Sequence, residues 1–345
     1  MEIVMTGAGG PEMLRVSAGD APEPGKGEVR VRVEASGVSF AEVQMLRRRY
    51  PMQPRFPFVP GYDLVGVVSS VGPGVTGVRA GDRVAAMTRT GAWRTHVVVP
   101  ASGVVPVPAT LDPAVAAAVA MNGVTAWQLV HDVARVRPGQ TVLVHGAAGG
   151  VGTLVVQLAV LAGARVLGTA SAGKHDVVRA LGAEPIDYRA GSVAAAVRAL
   201  APAGVDAVLD HVGGDSLAAS YEVLAGGGIL VNYGSASTLH DPGHWLRPYF
   251  GTIRRFAGWR LARLAGRGRG RRATFYYVKA GPRFSAALTE VFALVEQGSV
   301  TPQIAQRLPL SQAAEALRLL VDGTASGKVV LEASSASSGS SASSA

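Results

Sequence analysis

Cysteine is absent from the 345-residue sequence, which excludes disulfides, thiolate zinc sites and cysteine nucleophiles together. Long apolar runs are absent as well. The longest, such as residues 113–121, fall well short of the roughly 18 residues that a membrane-spanning helix needs. The N-terminus, MEIVMTGAGGPEML, has no basic segment followed by an apolar one, so it does not read as a signal peptide and a cytoplasmic protein is expected. Lysine is scarce, at four against 29 arginines. Acidic residues vanish between Asp241 and Glu290, where 11 lysines and arginines fall; the rest of the chain carries 22 basic and 24 acidic residues. The formal charge of +9 is therefore one local feature, which argues against a general affinity for nucleic acid. At 48% hydrophobic and 17% charged residues, the chain can bury a sizeable core in two domains or one large one.

Up to about residue 110, valine-rich and glycine-punctuated runs such as EVRVRVEASGVSF predict short twisted strands and tight turns. From Asp112 the pattern changes. An Asp cap, an early proline and small apolar residues in LDPAVAAAVAMNGVTAWQLVHDVARV predict helix with a break near Gly123. Strands then alternate with helices: strands over 141–145, 165–169, 207–210 and 229–233, helices starting near Gly149, Gly173, Ser192 and Asp215. That order implies a parallel sheet covered on both faces. Residues 272–278 read as a further strand, and Phe284, Leu288, Val291, Phe292 and Val295 fall on one face of a helix. GKVVLE near the end is a short strand that suits the first domain. The Ser/Ala tail, 333–345, buries too little apolar surface to offset its ordering entropy, and disorder is expected there.

Dinucleotide folds need a strand, a glycine turn and a helix whose free N–H groups meet a pyrophosphate. TVLVHGAAGGVGTLVVQLAVL supplies all three. A strict GxGxxG reading fails at its first position, where Ala147 stands, but Gly149 allows backbone approach to phosphate and Gly152 lets helix pack on strand. The alternative is a plain tight turn. Where the second strand ends, NAD enzymes carry an acidic residue for the ribose hydroxyls. Here the chain reads GTASAGKH, with Ser171 and Lys174 and no carboxylate, a set that suits a 2′-phosphate and so NADPH. The bland reading of that stretch is a solvated helix N-terminus.

The sequence resembles the zinc-independent, zeta-crystallin-type quinone oxidoreductases of the medium-chain dehydrogenase/reductase superfamily. The resemblance runs from Met1 to Glu332 and is carried by GGPEML, GYDLVGVVSSVGPGV with GDRV, NGVTAWQ, HGAAGGVG, RALGAEPIDYR and GKVVL. It implies an α/β architecture: a GroES-like, partly opened β-barrel catalytic domain over 1–122 and 281–332, clasping a Rossmann NADPH-binding domain over 123–280 that holds a basic insert at about 240–271. Carried over residue by residue, it implies Gly149, Gly150, Val151 and Gly152 at the pyrophosphate and Ser171, Lys174 and Tyr188 around the 2′-phosphate. Tyr233, Gly234 and Ser235 fall beside the nicotinamide half, Thr125 at the domain junction, and Ser39 with Phe40 on the nicotinamide side of the cleft. Zinc-dependent relatives carry a cysteine where Ser39 stands and a His-Glu pair where Tyr62 and Asp63 stand. No metal is expected, and the seven histidines are scattered, with only His240 and His244 at a ligand-like spacing.

Without zinc, the expected chemistry is hydride transfer from NADPH to an acceptor that needs little activation, a quinone or an activated enone. Tyr50 and Tyr62 are the candidate donors to its oxygen, against the commoner reading of each as a packed aromatic with its hydroxyl at the surface. A non-catalytic NADPH-binding protein is the alternative. The insert PYFGTIRRFAGWRLARLAGRGRGRR places Phe250, Ile253, Ala257, Leu261 and Leu264 on one helical stripe. It is expected to pack that stripe beside the cleft with its arginines in water; the competing reading is a helix lying on a membrane surface. A homodimer paired along the last strand of the Rossmann sheet is expected from the resemblance.

Overall fold

The computed structural model describes residues 1–240 and 247–333. His244 and the tail beyond Ala333 lie outside the described residues.

A hairpin of β1 (Glu2–Met5) and β2 (Leu14–Ser17) opens the chain. It is followed by β3 (Glu28–Val38), α1 (Phe40–Leu46), β4 (Asp63–Val71), β5 (Arg83–Met87), β6 (His96–Pro100) and β7 (Val104–Pro106). In β3 the buried Val29, Val31 and Val33 alternate with Arg30 and Arg32, the two-residue period of a half-buried strand. They pack on Leu64, Val68, Val84, Val97 and Val99 inside an antiparallel sheet.

Two helices lead out of this domain, α2 (Pro113–Ala120) and α3 (Asn122–Trp127). The Asp112 carboxylate accepts the N–H groups of Ala114 and Val115 at 3.0 and 3.1 Å, with Pro113 at the first helical position, as the sequence signals. The break is at Met121, with a 43° bend, rather than at Gly123. Gly123 lies within α3 for another reason: a Cβ there would stand 2.7 Å from Val291 Cγ1, so glycine lets two helices approach closely.

Next come β8 (Thr141–Val144), α4 (Gly152–Leu161), β9 (Arg165–Ala170), α5 (His175–Ala180), β10 (Glu184–Asp187), α6 (Val193–Leu200), β11 (Val205–Asp210), α7 (Ser216–Glu222), β12 (Leu224–Asn232), α8 (Arg247–Leu264) and β13 (Arg272–Phe275). The six strands pair in parallel in the order β10-β9-β8-β11-β12-β13, with β8 and β11 flanking the point where the winding reverses. Val142 and Val144 belong to one buried cluster and Leu143 to another, because successive side chains of β8 enter opposite helical layers. β13 stops at Phe275, short of the expected 278, and the next two residues, Tyr276 and Tyr277, line a cavity between the domains.

The chain returns through α9 (Pro282–Glu296), β14 (Ile304–Pro309), α10 (Ala313–Val321) and β15 (Lys328–Glu332). Phe284, Leu288, Val291 and Phe292 of α9 are buried as their spacing predicts. β15 pairs antiparallel with β3, Val329 opposite Val38, and β14 adds beside it, completing a seven-stranded sheet with the N-terminal domain.

Candidate active site

The glycine turn leaves β8 at its C-terminal end, beside the reversal of strand order. Gly146 has φ +65°, and a Cβ on it would meet the His211 ring at 2.4 Å. A Cβ on Gly152 would stand 2.1 Å from Gly146 O, so glycine is what seats the start of α4 on the strand end. Gly149, Gly150, Val151 and Gly152 line a cavity of about 630 Å³ between the two sheets, at the point where α4 begins. Gly327, just before β15, donates to Ala148 O at 2.9 Å, closing the returning chain over the turn.

Behind the turn lies a buried polar network. His145 Nε2 meets Ser220 Oγ at 2.9 Å, and its Nδ1 meets Thr169 Oγ1 at 3.3 Å. Asp210 accepts from Ser216 and Ser220, both at 2.8 Å, and from the N–H groups of Val212 and Gly213. Burial pushes the Asp210 carboxyl up, but His145 and these donors together hold it below the usual carboxylate range. Burial holds His145 and His211 below the usual histidine range, so both are neutral near pH 7. The network fixes the strand ends that carry the turn.

At the ends of β9 and β10 stand Ser171, Lys174 and Tyr188, outside the cavity lining. Lys174 Nζ donates to Gly323 O at 2.8 Å and Ala325 O at 2.6 Å, two rim residues of the cavity. Burial, with Arg189 nearby, lowers its pKa. The Arg189 guanidinium lies 5.4 Å from the centre of the exposed Tyr188 ring. This strand end thus holds two cations, one of which the sequence reading missed, and the nearest signal was its place directly after Tyr188.

The other end of the cavity brings together Ser39, Phe40, Thr125, Tyr233, Gly234 and Ser235. Gln44 of α1 donates to Ser235 Oγ at 2.8 Å, joining the two domains. Tyr50 and Tyr62 line the same end, and their hydroxyls are 2.8 Å apart. A third hydroxyl, unforeseen in the sequence, completes the set: Tyr277 lies 3.0 Å from Tyr50 and 2.7 Å from Tyr62. Burial, and then the hydrogen bond with Tyr277, raises the pKa of both Tyr50 and Tyr62 above the usual phenol range, so these hydroxyls keep their protons.

Beside Ser39 is a buried charge cluster. Lys328 Nζ donates to Ser39 Oγ at 3.1 Å and to Asn122 Oδ1 at 3.4 Å, and stands 4.0 Å from Asp63 Oδ2. Glu42 accepts the Ser39 N–H at 2.7 Å, and Asp63 that of Gly37 at 2.7 Å. Burial pushes Glu42 up to about 8 against the pull of Lys328, and raises Asp63 as well. Ser39 and Asp63, at the positions where zinc-dependent relatives carry ligands, therefore surround a protein ammonium. Among the described residues, no group of three or more His, Cys, Asp or Glu side chains is placed to hold a metal ion. In the sequence Lys328 belongs only to a short strand, and its charge carries no signal of its partners.

The basic insert corrects the sequence reading. Tyr249, Thr252 and Ile253 of α8 line the cavity, as expected of a wall. The expected apolar stripe, however, faces solvent: Phe250 is 66% exposed, Ile253 57%, Leu261 66% and Leu264 76%. The opposite face packs instead. Phe256 stacks on Phe275 at 4.1 Å and Trp259 on Tyr221 at 4.2 Å, while Arg255 reaches Gly214 O and Asp215, the latter at 2.6 Å. Aromatic rings bury more area per residue than the aliphatic stripe, and Phe275 at the sheet edge and Tyr221 of α7 offer them flat partners.

A GroES-like domain closed over a six-stranded Rossmann sheet, with a cavity at the winding reversal, defines a two-domain dinucleotide-dependent oxidoreductase. Comparison with known proteins narrows the class. Residues 25–109 match the alcohol dehydrogenase GroES-like domain family and residues 181–331 the zinc-binding dehydrogenase family. A synaptic vesicle membrane protein VAT-1 homolog from Rattus norvegicus is 34% identical over 348 residues, covering 95% of this chain and 83% of that protein. Among solved structures, a mycobacterial protein complexed with NADPH is 33% identical with a TM-score of 0.83, covering 96% of this chain and 99% of that one. Escherichia coli quinone oxidoreductase complexed with NADPH is 26% identical with a TM-score of 0.84, at 96% and 99% coverage. The chain belongs to the medium-chain dehydrogenase/reductase superfamily, in its zinc-independent, zeta-crystallin-like branch.

Proposed function

We propose that the protein is an NADPH-dependent reductase that works without zinc and passes hydride to a quinone or an activated enone. The observation that carries this reading is the trio of tyrosine hydroxyls at the far end of the cavity that the glycine turn opens.

The residues fit the cofactor. A Cβ on Gly150 would stand 2.6 Å from Asn122 Nδ2, another residue lining the cavity, so a side chain there would crowd it. Gly150, Val151 and the first turn of α4 would hold the pyrophosphate, and Ser171, Lys174 and Arg189 the 2′-phosphate, with Tyr188 beside them. When bound, NADPH supplies the hydride. The chain supplies position and charge. Ser39, Phe40, Thr125, Tyr233 and Ser235 would bound the nicotinamide half. The three hydroxyls are mutually bonded, Tyr50 and Tyr62 keep their protons at neutral pH, and a phenol of the set can turn to donate to an acceptor oxygen as it gains negative charge. Quinones and enones place that charge on oxygen with little activation, which suits a site of phenols. The E. coli and mycobacterial relatives named above support the cofactor, and the former the acceptor class.

The chain is also proposed to form a homodimer along β13. Its support is the place of β13 at the edge of the six-stranded sheet, where an open strand invites pairing. A mass of one chain by light scattering would contradict the dimer.

NADPH consumption against a panel of quinones, enones and aldehydes tests the reading. Turnover is expected with quinones or enones; turnover with aldehydes alone would overturn it.

A further inference from the structure

α8 is amphipathic in an unusual sense, because its inner and outer faces are both apolar. Phe256 and Trp259 fill the inner face. Phe250, Ile253, Ala257, Leu261 and Leu264 recur at intervals of three and four, so they form one stripe, and that stripe is turned to solvent along the whole described helix. Single exposed apolar residues need no explanation, but a contiguous stripe does.

The surroundings of the stripe state what would cover it. On the helical wheel Arg254 flanks one side and Arg260 the other, and both are exposed. Arg263, Arg267, Arg269 and Arg272 follow, exposed too. Among the described residues none of these six has an acidic partner, and no acidic residue occurs between Asp241 and Glu290. A protein partner of ordinary composition would not call for so uniform a charge. An apolar stripe between rows of guanidinium groups matches a lipid interface, with acyl chains under the stripe and anionic headgroups at the arginines. No single helix among the described residues is long and apolar enough to cross a membrane, so the contact would lie along the surface. Ile253 belongs to both the stripe and the cavity lining, which places the cavity beside the surface so covered.

We propose that the outer face of α8 is a docking surface for an anionic lipid bilayer, on which it seats the protein with its cavity next to the lipid. This inference does not depend on the reductase reading, because its test reads binding directly.

The test is co-sedimentation of the full chain with vesicles of phosphatidylcholine alone and of phosphatidylcholine with one-third phosphatidylglycerol. Binding is expected to the anionic vesicles only, and to weaken as salt rises. Leu261→Glu with Leu264→Glu, and separately Arg254→Glu with Arg260→Glu, should each weaken it by at least about tenfold. None of the four lines the cavity and all are exposed, so circular dichroism should be unchanged. Absence of binding, equal binding to both vesicle types, or binding that survives both double variants would overturn the proposal. So would a dimer in solution that the Leu261→Glu, Leu264→Glu variant dissociates, since a second copy would then own the stripe.

Discussion

The hydroxyl of Tyr277, just past the last strand of the Rossmann sheet, stands 2.7 Å from that of Tyr62, just before β4 of the GroES-like domain. With Tyr50 this makes a corner of three hydroxyls built from both domains, so it exists only when they are closed on each other.

If that corner stabilises charge on the acceptor, Tyr62→Phe and Tyr277→Phe should each lower kcat roughly tenfold to hundredfold, with the remaining hydroxyls covering part of the loss. NADPH affinity, measured by fluorescence titration, should be unchanged. A lower affinity with kcat unchanged would assign the trio to cofactor binding.

At the other end of the cavity, Lys174→Ala and Arg189→Ala should raise KM for NADPH and leave that for NADH nearly constant. A charge-assisted contact of roughly 1.5–3 kcal/mol corresponds to about tenfold or more. Lys174 must exchange its two carbonyl partners, Gly323 and Ala325, for phosphate, so part of the gain is offset and Arg189→Ala could prove the larger effect. Equal losses with both cofactors would remove the case for a 2′-phosphate site.

The fold's frame was legible because its signals are local. The glycine turn, the Asp112 cap and the alternating valines of β3 each act within a few residues, and each appears where the sequence points. Lys328 and Tyr277 were not legible, since their partners lie 289 and 215 residues away and only the closed topology brings them together. Helical spacing located the stripe of α8 but not its direction. A second apolar face, Phe256 and Trp259, competed for the core, and aromatic stacking on Phe275 and Tyr221 decided the outcome.

Burial of Glu42 has a consequence for pH. Its carboxyl titrates at about 8 in the fold against 4.5 as a free group, so the folded chain holds a proton there that the unfolded chain has lost. Stability should fall as pH rises through that window, by at most roughly 1.4 kcal/mol per unit. Thermal melts from pH 5 to 9 should show this, and Glu42→Gln should flatten the slope. A wild-type slope that Glu42→Gln leaves untouched would place the titration elsewhere.

With an ammonium between Ser39, Asn122 and Asp63, activity should survive exhaustive chelation. Purified active protein that contains stoichiometric zinc and loses both metal and activity together would refute a zinc-free mechanism.

Hydride transfer to an acceptor, rather than binding of NADPH alone, is the proposed work of the cavity. Oxidation of NADPH deuterated at the transferring position of nicotinamide C4, followed at saturating quinone or enone in a single turnover, tests it most directly. Complete oxidation is expected, slowed relative to unlabelled NADPH and slowed further in Tyr62→Phe. Tight binding of NADPH with no oxidation by any quinone or enone would contradict it.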